Sequence, residues 1–100
     1  MRFTWDEAKA GSNQAKHQVG FETAVRVFLD PFALSEQDRI EEGEYRWQII
    51  GSIEGEVFLV AHMEREAADG ATIIRIISAR RAVRTERRRY EEEKYRRLRT

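Results

Sequence analysis

Apolar and polar positions alternate along this chain with two distinct periods, and those periods set the predicted elements. Met1 to Trp5 alternates at period two and predicts a short opening strand. Asp6 is a good helix N-cap and Glu7 suits a first turn, so a helix is predicted through EAKAGSNQAKH, ended by Gly20. Within it Lys9, Asn13, Lys16 and His17 fall at i, i+4, i+7 and i+8 and share one face. Phe21, Ala24, Val25, Phe28 and Leu29 form an apolar stripe at helical spacing. Asp30-Pro31 stops this second helix, because a residue before proline disfavours α geometry. Phe32 to Ser35 reads as a short strand and Glu36 to Gly43 as an acidic loop. Three further strands are predicted at Tyr45–Ile53, Val57–Met63 and Thr72–Ala79, with hairpin signals at Glu54-Gly55 and Asp69-Gly70. A last helix runs from near Val83 towards Arg97, with Glu92–Arg96 and Glu93–Arg97 spaced as i,i+4 ion pairs.

The predicted order is therefore β-α-α-β-β-β-β-α. This is an α+β class: a small antiparallel sheet with two N-terminal helices and a C-terminal helix. One hundred residues suit one domain, 1–100, in which 92–100 form a charged helical tail.

Charge changes the picture more than overall composition does. The net charge is zero. Residues 75–100, however, hold ten Arg and one Lys against four Glu, a net +7, while residues 1–74 hold seven basic and fourteen acidic residues, a net −7. The basic end is RIISARRAVRTERRRYE, Arg75 to Glu91, a strand that feeds a helix. Guanidinium forks match phosphate oxygens, so this unit points to a polyanion or an acidic protein partner, or else satisfies the chain's own acidic body. There is no cysteine, which excludes disulfides and thiolate metal sites. No apolar run approaches the roughly 20 residues of a membrane span, and the start lacks a signal-peptide core, so a cytoplasmic location is expected.

Four blocks resemble one known family. WDEAKAGSNQAKH is similar to W-D-x-x-K-A-x-x-N-x-x-K-H, and VGFETAVRVFLDP to G-V-x-F-E-E-A-x-x-V-F-x-D-P. EYRWQIIG is similar to E-x-R-x-x-x-I-G, and RIISARRAVRTERRRYE to R-I-I-S-A-R-x-A-x-x-x-E-R-x-x-Y. Over residues 1 to 91 the chain thus resembles the BrnT toxins, the ribonuclease halves of bacterial type II toxin–antitoxin pairs. The resemblance implies a RelE-like fold, RNA cleavage, growth inhibition, and a BrnA antitoxin with a ribbon-helix-helix DNA-binding domain, with which the toxin represses its own operon. Two departures stand out. Val83 replaces the Thr that often heads the last helix, which removes a capping box and leaves Thr85 as a later cap. Gln18-Val19-Gly20 also has one extra residue between His17 and the usual Gly-Val.

Metal-independent RNA cleavage needs a base for the 2′-hydroxyl, an acid for the leaving 5′-oxygen, and cations for the phosphate. No metal and no cofactor are called for. His17 is the leading acid/base candidate, since it shares a helix face with Lys9 and Lys16 and matches a motif position; the alternative is a helix-end residue facing the last carbonyls. Glu44 is a candidate base or a solvated member of an acidic run. Arg75 and Arg80 are the candidate phosphate clamps. They lie five apart, so a flat strand puts them on opposite faces unless Arg80 lies past the strand end. Arg46 and Arg65 are candidate RNA contacts, and Tyr90 a candidate for base stacking, with Tyr45 beside it; Trp47 and the Phe21/Phe28 stripe read as core, and His62 as a sheet residue. Arg87 and Arg88 read as a solvated helix face or a partner contact. The preferred function is a metal-independent endoribonuclease toxin acting on RNA and neutralised by a BrnA-like antitoxin, probed against a non-catalytic nucleic-acid-binding or protein-interaction module.

Overall fold

The computed structural model describes residues 1–99; Thr100, the last residue of the expected tail, lies outside the described residues. The elements are β1 (Arg2–Thr4), α1 (Glu7–His17), α2 (Phe21–Ala24) running into a 3₁₀ segment (Val25–Leu29), β2 (Leu34–Glu41), β3 (Glu44–Ile53), β4 (Glu56–Glu66), β5 (Thr72–Arg81) and α3 (Arg84–Leu98). The class and order agree with the sequence reading. The sheet itself is mixed and not purely antiparallel: in the order β1-β5-β4-β3-β2, β1 pairs parallel to β5 and the other pairs are antiparallel. A parallel pair needs a long crossover. Everything from α1 to β4 intervenes between β1 and β5, which is why local sequence patterns do not show it.

Local chemistry accounts for the element boundaries. Asp6 caps α1, its Oδ1 accepting the N–H groups of Ala8 at 2.8 Å and Lys9 at 3.1 Å. The helix ends at His17, not at Gly20: Gln18 takes the left-handed conformation at φ 59° and its N–H closes on the Gln14 carbonyl, while Gly20 heads α2 at φ −79°. The second helix tightens to 3₁₀ after one turn, which brings Val27 down on β3. A Cβ on Gly51 would stand 2.8 Å from Val27 Cγ1, so only glycine fits at that crossing. Glu36 to Gly43 is not a loop. Most of it belongs to β2, which turns at Glu42-Gly43 with φ 50° and 79°, the same positive pair found at Glu54-Gly55 (50° and 86°). Two positive φ values suit the right-handed twist of a tight hairpin.

Two cores form on the two faces of the sheet. α1, α2 and the 3₁₀ segment cover one face through Phe21, Val27, Val60, Ile74, Ile76 and Ala79. α3 covers part of the other through Ile50, Val57, Leu59, Ala82 and Tyr90. At the head of α3, Glu86 accepts the Val83 N–H at 2.9 Å, so half of a capping box survives without a hydroxyl at Val83 and the helix begins at Arg84, before Thr85. Of the two expected i,i+4 ion pairs, Glu93–Arg97 forms; Glu93 also takes Arg96, the residue expected to pair with Glu92. Trp47 is half-buried, so its assignment to the core holds only for part of the ring.

Candidate active site

β5 decides which arginines share a face. Its register against β4 slips once: His62 pairs with Ile76 and Ala61 with Ser78, leaving Ile77 as an extra residue. Such a bulge resets the alternation of side chains. Before it, Arg75 pairs with Met63; after it, Arg80 pairs with Leu59, and both lie on the face that carries α3. The odd spacing expected to separate the two arginines is thus cancelled inside the strand, and Arg80 lies within β5 and not beyond its end.

α1 closes the edge of β5 where β1 stops. β1 reaches only Arg75. Four residues on, the buried Asn13 side chain takes over: Nδ2 donates to the Ala79 carbonyl at 2.8 Å, and Oδ1 accepts the Ala79 N–H at 3.0 Å. The same Nδ2 donates to the Val19 carbonyl at 2.9 Å, tying down the turn after α1. One amide thereby supplies both hydrogen bonds a neighbouring strand residue would. It also fixes Lys9, Lys16 and His17 beside β5, where with Ser12, Ile77 and Ser78 they line a hollow of about 200 Å³.

A second hollow, about 290 Å³, lies further back along β5, on the face that carries α3 and not at the α1 edge. It is lined by Thr4, Glu44, Met63, Arg65, Ile73 and Arg75. The Arg75 guanidinium contacts the buried Met63 Sδ at 3.0 Å and the Glu44 carboxylate at 3.4–3.5 Å, Arg75 and Glu44 both being partly exposed. This long, wet pair leaves Arg75 able to reach another anion. Among the described residues Arg65, Lys9 and Lys16 make no ion pair. The structure therefore groups Lys9, Lys16 and His17 at one hollow, and Arg75, Arg65 and Glu44 at the next.

Three expected members are held elsewhere. Arg80 is bound by Glu86 through two parallel hydrogen bonds, 2.8 and 2.9 Å, and this pairing lowers the Glu86 pKa. Arg80 is thus a strut between β5 and α3. Arg46 does face away from Tyr45 and Trp47, as alternation predicts, but lies 3.5 Å from Asp38 and 3.4 Å from Glu41. Tyr90 is 2% exposed and offers no ring for a base to stack on. Its hydroxyl donates to Asp30 Oδ2, which also accepts the Ser52 N–H at 2.7 Å, while Oδ1 takes the Phe32 N–H. Burial and the Asp30 charge both push the Tyr90 pKa up; burial pushes Asp30 up as well, but its three donors outweigh that and hold it low. The local pattern of α3 shows Tyr90 on a helix face, but only the long-range fold shows which face is covered.

Residues 5–86 match the family described as "Ribonuclease toxin, BrnT, of type II toxin-antitoxin system". The chain belongs to the BrnT toxin family. No curated protein matches it in sequence. The family match ends on Glu86, the residue that both caps α3 and holds Arg80. It takes in both hollows except Thr4. Within this BrnT-family chain no three His, Cys, Asp or Glu side chains come together as a metal-binding group among the described residues, and no helix among them is long and apolar enough to cross a membrane. Sequence reasoning put Asn13 on the basic face of α1 and missed its role. The available signal was its position within the resemblance, an amide among charged residues on a face that needed an edge partner.

Proposed function

We propose that this BrnT-family chain cleaves RNA across the exposed edge of β5, without a metal ion, as the toxin of a pair whose antitoxin is a BrnA-like ribbon-helix-helix protein. The observation that carries the reading is that β5 borders both the His17 hollow, at its α1 edge, and the Arg75 hollow, on its α3-bearing face. Arg75 holds the non-bridging phosphate oxygens, and Arg65, Lys9 and Lys16 receive the neighbouring phosphates. His17 transfers the proton, either taking it from the 2′-hydroxyl as that oxygen attacks phosphorus or giving it to the departing 5′-oxygen. Glu44 orients Arg75 in the resting state and accepts a proton where the second group is needed. Arg46 contacts RNA only by exchanging its carboxylate partners for phosphate. Arg80 acts through Glu86 by setting the α3 boundary of the face. The antitoxin stops growth inhibition by occupying this edge, and the complex represses its own operon through the antitoxin's DNA-binding domain.

Purified protein incubated with a mixed-sequence RNA is expected to produce fragments ending in 2′,3′-cyclic phosphate, with or without EDTA. Arg75→Ala and His17→Ala are each expected to lower the cleavage rate by about 100-fold or more, in the range for loss of a charge-stabilising or proton-transfer group. Intact RNA at high protein concentration would refute the reading; full activity in both variants would refute the assignment of residues.

A further inference from the structure

The acidic body neutralises most of the arginines on its own surface. Arg2 is paired with Asp69, Arg26 with Glu54, Arg81 with Glu56, and Arg89 with Glu36. Three positions on the solvent side of α3 are different. Arg84, Arg87 and Arg88 are exposed and, among the described residues, make no ion pair. At i, i+3 and i+4 they point the same way and repel one another. They also occupy the first turns of α3, where the helix dipole disfavours cations. Glu91 and Glu92 follow at i+4 from Arg87 and Arg88, but neither closes an ion pair with them, so the three guanidinium groups are left open to a polyanion.

The choice between a phosphate backbone and an acidic protein segment turns on what surrounds the three. The exposed apolar residues of α3, Tyr95 and Leu98, lie at its far end. Arg88, the nearest member of the cluster, and Tyr95 are seven residues apart, about 10 Å along the axis. Beside the cluster itself only Val83, at the helix cap, is an exposed large apolar side chain, which is less than the broad apolar centre that a protein interface is built around. Only Ala82 and Val83 separate α3 from β5, so the cluster belongs to the same strand–helix unit as Arg75 and Ser78. It also straddles the end of the family match at Glu86, with two of its members beyond it.

We propose that Arg84, Arg87 and Arg88 form a second phosphate-binding surface, outside the cleft, that holds the part of an RNA strand flanking the cut site. The proposal rests on the ribonuclease reading, and its test separates the two. A labelled 20-nucleotide 2′-O-methyl RNA, which lacks the attacking hydroxyl, is titrated with the full chain at a series of salt concentrations, alongside a tetranucleotide of the same chemistry. Arg84→Gln/Arg87→Gln/Arg88→Gln is expected to reduce the slope of log K against log salt for the 20-mer by about 2, about 0.7 for each lost contact. Tetranucleotide binding is expected to be unchanged. Gln matches Arg in helix propensity, so the fold should persist; if the unfolding midpoint drops, the single variants serve, each expected to lower the slope by about 0.7. Equal 20-mer slopes in a folded variant would overturn the proposal. So would an equal loss on the tetranucleotide, which places the three in the cleft, or tighter binding of a 20-residue oligoglutamate than of RNA, which assigns them to a protein. Unmodified RNA is assayed in parallel: a slope difference without cleavage leaves the surface standing and removes the ribonuclease reading, and cleavage without a slope difference does the reverse.

Discussion

Replacing Asn13 by Ala removes three hydrogen bonds at a place water reaches poorly. Asn13 is 6% exposed and Ala79 is fully buried. The substitution strips the Ala79 N–H and carbonyl of the Asn13 amide and takes one donor from the Val19 carbonyl. At about 1 kcal/mol for each lost bond, with an added penalty for buried groups left unsatisfied, the expected loss is about 3–4 kcal/mol. That is a large part of the roughly 5–15 kcal/mol typical of a domain, so the variant should fold but be marginal. With a urea slope of about 1–3 kcal/mol/M, the midpoint should fall by about 2 M, read by far-UV circular dichroism. Exchange of the Ala79 amide hydrogen should quicken as well. Asn13→Asp should be at least as damaging: it keeps the acceptor for the Ala79 N–H but turns a carboxylate on two carbonyls. Loss of docking of α1 should also displace Lys9, Lys16 and His17 and slow cleavage. If both variants unfold within about 0.5 kcal/mol of the parent, the amide does not substitute for a strand, and the account of this edge is wrong.

Glu86→Gln should keep the cap on Val83, since Gln can accept that N–H, while breaking the two-bond pairing with Arg80. A loss of about 1–2 kcal/mol in urea denaturation is expected, and none would show that Arg80 is no strut. Acid should act in two stages. Burial lowers the His62 pKa, against the opposing pull of Glu64, so the unfolded chain binds that proton more readily and stability should fall as pH drops below about 6.5. Glu86 and Asp30 are also depressed in the fold, so their contributions, present above about pH 4.5, should disappear below it. A stability profile in which His62→Leu is as steep between pH 6.5 and 5 as the parent would exclude the first stage. Gly51→Ala should cost about 1–3 kcal/mol by thermal melt, because the new methyl meets a fully buried Val27; an unchanged melting temperature would mean the crossing has slack.

Elements whose cause is local are readable from the chain. Asp6 announces α1 and Asp30-Pro31 ends the second helix; Glu54-Gly55 marks a hairpin; and the alternation in Tyr45–Ile53 gives the facing of Arg46. The strand predicted at Phe32–Ser35 marks only the start of β2; the rest reads as a loop because its residues are mostly polar and exposed, as suits an edge strand guarding against further pairing, and because Asp38 interrupts its register. Its Glu-Gly turn repeats the Glu54-Gly55 signal and could have been read. The parallel placement of β1, the burial of Tyr90 against Asp30 and the capture of Arg80 by Glu86 depend on contacts between distant or re-aimed groups, which periodicity does not encode. At the site, the residue types were legible and their grouping was not. Arg75, Glu44 and Arg65 come together only because β3, β4 and β5 pair in this register.

Ile77 works as a parity bit for everything that follows it in β5. Substituting it changes one side chain, but deleting it would exchange inside for outside over four consecutive residues. Arg80 would turn towards the core under α1, Ala79 would be withdrawn from that core, and the Glu86 strut would have nothing to hold. The length of this strand is therefore under stricter constraint than its composition, and the tolerance of the fold to change here should be sharply unequal between replacement and deletion.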